Sequence, residues 1–86
     1  LNKLTEAIEC YNRAIEINPE YSDAYYNKGI AFSDLNKLTE AIECYNRAIE
    51  INPQFSYGYN VKGNALCDLN KLTEAIECYN RAIEIN

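Results

Sequence analysis

The sequence predicts an all-α fold, an α-solenoid of stacked antiparallel helix pairs, and three observations predict it. The segment LNKLTEAIECYNRAIEIN at Leu1 to Asn18 returns unchanged at Leu35 to Asn52 and at Leu69 to Asn86, a period of 34 residues. Self-similarity at this period is the mark of supersecondary units that stack along one axis. Within each copy the apolar residues recur at helical spacing, so each copy has one apolar side and one charged side. Pro19 and Pro53 stand between a copied segment and the diverged one that follows, where proline ends one helix and is tolerated at the start of the next.

Five helices follow in order: α1 within 1–18, α2 within 19–34, α3 within 35–52, α4 within 53–68 and α5 within 69–86. The copied helices α1, α3 and α5 are of one type (B) and the diverged α2 and α4 of another (A), giving the order B, A, B, A, B. The chain 1–86 is expected to be a single repeat domain, with 1–18 a lone helix and 19–52 and 53–86 as helical hairpins.

In α1 the stripe Ala7, Ile8, Tyr11, Ala14 and Ile15 has no helix before it and should be partly uncovered. In α2, Tyr25, Gly29 and Phe32 form the inner stripe. A glycine inside a helix costs about 1 kcal/mol relative to alanine, so close helix contact is the expected reason for Gly29, with small Ala41 or Ala48 facing it. The turn Leu35-Asn36-Lys37 carries asparagine where a left-handed residue would end the helix. In α3, Leu38, Ala41, Ile42, Tyr45, Ala48 and Ile49 face inward, while Glu40, Glu43, Asn46, Arg47 and Glu50 face solvent, with Glu43 and Arg47 spaced for an ion pair. Helix α4 repeats the glycine at Gly63, and α5 ends the chain with no following helix over its outer side.

Read in order, Tyr25, Gly29, Phe32, Ala41, Tyr45, Ala48 and Pro53 give a unit that resembles the tetratricopeptide repeat, and Tyr59, Gly63, Leu66, Ala75, Tyr79 and Ala82 repeat it. Lys28 and Lys62 depart from the leucine the family often places before the glycine, and Asn36 and Asn70 replace its usual turn glycine. The resemblance implies a right-handed superhelix whose A-type helices line a concave face, along which extended peptides or single helices of a partner protein lie.

Composition narrows the function. A formal net charge of −5 opposes nucleic-acid binding, and no apolar run approaches a membrane span. The chain has no histidine, and neither Ser33 nor Cys67 has a plausible base beside it, so no enzyme activity and no cofactor is expected. Cys10, Cys44 and Cys78 recur at equivalent places too far apart along a solenoid to bridge, so they read as small packing residues whose reduced state suits an intracellular, cytoplasmic setting. The chain begins at Leu1 rather than methionine, as a piece of a longer array would. Tyr11, Tyr45, Tyr79, Tyr25 and Tyr59 are assigned to the core, while Tyr26 and Tyr57 fall on the other side of the A-type helices.

Mapped by angle, the expected concave wall holds Asp23, Tyr26, Ile30, Ser33 and Asp34 on α2, and Tyr57, Asn60, Asn64, Cys67 and Asp68 on α4. This wall differs between repeats while the copied helices do not. Some members of the family grip a peptide's terminal carboxylate with basic residues, and no lysine or arginine stands on this wall. A neutral or basic protein segment is therefore the expected partner, with Tyr26 and Tyr57 as aromatic anchors. Two alternatives remain: a structural module that self-associates through its exposed ends, and a concatenated or engineered repeat with no natural partner.

Overall fold

The computed structural model describes residues 3–86; Leu1 and Asn2, which open the first copied segment, lie outside the described residues. The helices are α1 Lys3–Ile17, α2 Ser22–Asp34, α3 Leu38–Ile51, α4 Ser56–Asp68 and α5 Leu72–Ile85. No strand occurs among the described residues.

Local chemistry sets the boundaries. After α1, the Asn18 carbonyl accepts the Tyr21 N–H at 3.1 Å and its side-chain Oδ1 accepts the Glu20 N–H at 3.1 Å, with Pro19 pre-set at the second turn position. Asn52 does the same for Phe55 at 3.1 Å and Gln54 at 3.3 Å. The A-type helices end otherwise. Asn36 and Asn70 adopt φ of 60° and 62°, the left-handed conformation expected of Asn36. That turn directs the Lys37 N–H onto the Phe32 carbonyl at 2.8 Å and the Asn36 N–H onto Ser33 at 2.9 Å, the paired bonds of a Schellman cap.

Each helix packs on its neighbours in sequence, and α2 also touches α4. Among the described residues no two copied helices come as close as α2 and α4 do. The array therefore bends with α2 and α4 on the inside and the copied helices outside.

The core centres on Ala41, Tyr45 and Ala65, flanked by Tyr26, Ile30, Phe32, Leu38, Ile42 and Val61, and continues through Leu66, Ala75 and Cys78. Tyr45 is 1% exposed. It also corrects the expected role of Gly29. A Cβ built there would lie 2.7 Å from Cδ1 of the Tyr45 ring, so the glycine is a notch for an aromatic ring rather than the partner of a small alanine. Gly63 repeats the arrangement, with Tyr79 Cε1 at 2.6 Å.

A second correction concerns charge. Arg47 bonds Glu50 at 3.2 Å and approaches Glu20 of the preceding turn at 3.7 Å, rather than pairing with Glu43. Its guanidinium lies over the Tyr25 ring, 5.7 Å from the centroid. The ends are open as expected: α1 has no buried residue, and Cys10 is exposed where Cys44 and Cys78 are buried. All four cysteines are free.

Two glycine substitutions should separate packing from propensity. Gly29→Ala should destabilise by about 1–3 kcal/mol because the Tyr45 ring must shift inside a packed core. Gly58→Ala should be neutral or stabilising by up to about 1 kcal/mol, because its nearest contact is the Ile49 side chain at 3.1 Å and the previous repeat already carries buried Ala24 there. Urea midpoints at unchanged slope are the measurement, and equal effects at both positions would contradict the notch.

Candidate functional site

The inside of the bend is the surface that α2 and α4 share, and the expected wall residues do not all reach it. Asp23, Asp34 and Asp68 are exposed. Asp23 lies in the first turn of α2, where the helix dipole favours a carboxylate. Tyr26 and Ile30, placed opposite the core by angle alone, instead pack against the cluster of Ala41, Tyr45 and Ala65. The angular map allowed each inner helix one buried side, whereas α2 has neighbours on both flanks.

Tyr26 belongs to a row of rings that climbs from the core to the surface. Its centroid is 6.4 Å from Tyr45 and 5.0 Å from Phe55, which it meets edge-on at 67°. Phe55 in turn meets Tyr57 at 6.3 Å and 77°. Tyr57 is 66% exposed and ends the row. The two expected anchors are thus joined through Phe55, which sequence reasoning missed. Its signal was available as an aromatic two residues after each turn proline, Tyr21 and Phe55.

Asn64, Cys67 and Tyr79 come together. The Tyr79 hydroxyl donates to Asn64 Oδ1 at 2.6 Å and lies 3.6 Å from Cys67 Sγ. This fixes the Asn64 amide with its oxygen engaged and its Nδ2 protons directed away from Tyr79. One repeat earlier, Ser33 and Tyr45 stand at the places of Cys67 and Tyr79. Asn60 is half-buried between these features. Burial pushes Tyr45 up to about 12, partly offset by Ser33. The Tyr79 hydroxyl is raised first by its bond with Cys67 and then by burial.

Tyr25 and Tyr59 leave the core assignment. They are half-buried on the flank beneath Arg47 and Arg81, whose guanidinium carbons sit 5.7 and 5.9 Å from the ring centroids. Beside them lie two equivalent clefts, about 290 Å³ between α2 and α3 and about 250 Å³ between α4 and α5. Lys28, Glu40, Glu43 and Cys44 line the first, and Lys62, Glu74, Glu77 and Cys78 the second. Burial raises both thiols, opposed by Lys28 and Lys62, so at neutral pH they are protonated packing groups rather than nucleophiles. Among the described residues no group of His, Cys, Asp or Glu could hold a metal ion, and no helix is long and apolar enough to cross a membrane.

A family model described as tetratricopeptide repeat matches residues 22–55 and 56–86, and another described as TPR repeat matches residues 1–36. A crystal structure of MamA superposes with a TM-score of 0.95 at 32% identity, covering 98% of this chain and 49% of that one. The chain thus spans about half the length of MamA. The first TPR of Spaghetti (RPAP3), bound to the HSP90 peptide SRMEEVD, gives 0.94 at 31% identity over 98% of this chain and 67% of that one. The second TPR of the same protein, bound to the same peptide, gives 0.93 at 27% identity over 99% and 79%. No curated protein matches the chain.

The raised tyrosines have a pH consequence. Tyr45 titrates near 10 when unfolded and about 12 when folded, so the native state holds its proton more tightly. Its contribution to stability is complete below pH 10 and is lost as pH rises from 10 through 12. Tyr45→Phe should therefore flatten the alkaline decline, as read from urea midpoints between pH 8 and 12. An unchanged decline would contradict the assignment.

Proposed function

The chain belongs to the tetratricopeptide repeat family, and on that premise we propose that it is a non-catalytic module that holds a neutral or basic protein segment, extended or helical, along the face lined by α2 and α4. A protein–protein interaction module is what the family and its peptide-bound neighbours support. The finer reading rests chiefly on one observation. The proposed wall holds the exposed carboxylates of Asp23, Asp34 and Asp68 and the exposed Tyr57 ring, and it carries no lysine or arginine.

The peptide SRMEEVD seen with the Spaghetti repeats carries two glutamates and an aspartate. Such a segment laid against three aspartates would meet like charge, which costs affinity and slows encounter. A segment with lysine or arginine would meet complementary charge. Tyr57 supplies an apolar ring backed by Phe55 and Tyr26, so it presents contact area at little cost in side-chain freedom. The Asn64 Nδ2 protons offer donors to a main-chain carbonyl. Cys67 is occupied by the Tyr79 hydroxyl, which supports binding rather than chemistry. Four free thiols suit an intracellular, cytoplasmic setting.

Peptides of equal length bearing lysines or glutamates should separate these readings in a fluorescence titration. The lysine peptide should bind, and Tyr57→Ala should weaken it by about 2 kcal/mol at any salt concentration. Asp34→Asn and Asp68→Asn should matter mainly at low ionic strength, and Glu43→Gln on the outer flank should matter little. Preference for the glutamate peptide, or loss of binding in Glu43→Gln alone, would refute the assignment.

A further inference from the structure

Apart from the peptide-binding reading, we infer that α5 of one 86-residue chain takes the place of α1 on α2 of a second copy, joining copies head to tail into a continuous solenoid. The first ground is identity. Lys3–Ile17 and Lys71–Ile85 are the same sequence, KLTEAIECYNRAIEI, so the surface of α2 that receives α1 offers α5 the same contacts.

The second ground is the difference in their surroundings. In α3, which carries this sequence too, the stripe Leu38, Ile42, Tyr45 and Ile49 is covered: Ile42 packs against the cluster of Leu66, Ala75 and Cys78, and Ile49 lies over Gly58. On α5 the matching Leu72, Ile76 and Ile83 are 55%, 57% and 72% exposed. The helix itself is firmly framed by α4, with Ala75, Cys78 and Ala82 buried. Helix α1 is the reverse case. It has no buried residue, and among the described residues α2 is the only helix it touches.

The third ground is that exchange creates contacts α1 cannot make. Inside the chain, α4 arrives beside α2 and sets Phe55 against Tyr26. Tyr21 occupies the place of Phe55 at the head of α2 and is 44% exposed. With α5 of another copy seated on α2, the inner helix α4 of that copy comes alongside, and its Asn60, at the place of Tyr26, faces Tyr21. The junction reproduces the interior of the array, and one chain's α5 occupies a different surface from the one its own α2 offers. Such a contact is heterologous and continues as an open chain.

The test is sedimentation velocity of the 86-residue chain under reducing conditions. Weight-average mass should climb with concentration beyond the dimer. Ile83→Glu in α5 should shift the onset of association to at least about tenfold higher concentration, because the covered stripe loses its apolar contact. Ile15→Glu, the same substitution at the same place in α1, should act in the opposite direction and lower the onset by about tenfold, since it loosens α1 and frees α2. Circular dichroism should show the other four helices intact in both variants. A chain that stays monomeric, growth that stops at a dimer, or an Ile15→Glu variant that associates no better than the parent would each overturn the inference. The last two results would point instead to α5 pairing with α5, or to α5 stacking on an α1 still in place.

Discussion

The seating of the Tyr45 ring in the notch left by Gly29, with Tyr79 and Gly63 as its twin, is the contact on which the rest of the structure depends. It sets how close an inner helix lies to the outer helix of its hairpin, since no side chain at that position intervenes. It also decides where the tyrosine hydroxyl ends. The Tyr79 ring passes beside Gly63 and delivers its oxygen to Asn64 and Cys67 of the inner helix. A core contact thereby fixes the polar groups of the candidate groove. Removing the ring would unsettle both.

Identical sequence does not give identical surroundings in such an array, because each helix takes its burial from its neighbours. Ala41, Cys44 and Tyr45 are buried on α3, with helices on both sides. The same residues on α1, Ala7, Cys10 and Tyr11, have no inner helix before them and none is buried. On α5 the side facing α4 is buried and the far side is exposed. Three copies of one helix thus sit in three different surroundings, and among the described residues α3 is the copy packed on both sides.

The repeat made the fold legible: a 34-residue period, amphipathic copies and turn prolines determine helix order and neighbours, and Asn36 disclosed its left-handed turn. The site was less legible because angle around one helix says nothing of a second inner helix alongside. That neighbour draws Tyr26 and Ile30 into the core and leaves Tyr57 as the exposed ring. Phe55 escaped notice because it precedes its helix and belongs to no helical stripe. Tyr25 and Tyr59 looked apolar in position, yet the arginine one helix away holds each at the flank.

The two inner helices divide their differences in a way that bears on how a segment would lie across them. At the flank they agree, with Tyr25 and Tyr59, and Lys28 and Lys62, in matching places. Toward the groove they diverge: Tyr26, Ile30 and Ser33 on α2 answer to Asn60, Asn64 and Cys67 on α4. The flank positions serve the copied helices, whose faces are the same in every repeat, so the same side chains recur against them. The groove positions also reach the copied helices, Tyr26 at Tyr45 and Asn64 and Cys67 at the Tyr79 hydroxyl, but there the side chains differ between repeats. Along the axis the inner face therefore changes from aromatic and aliphatic groups over α2 to amides over α4, where Tyr79 holds the Asn64 oxygen and leaves its donors available. A segment bound in the proposed manner would be read with a direction, since the exposed Tyr57 ring and the Asn64 donors lie on α4, while α2 carries Asp23 at the place of Tyr57.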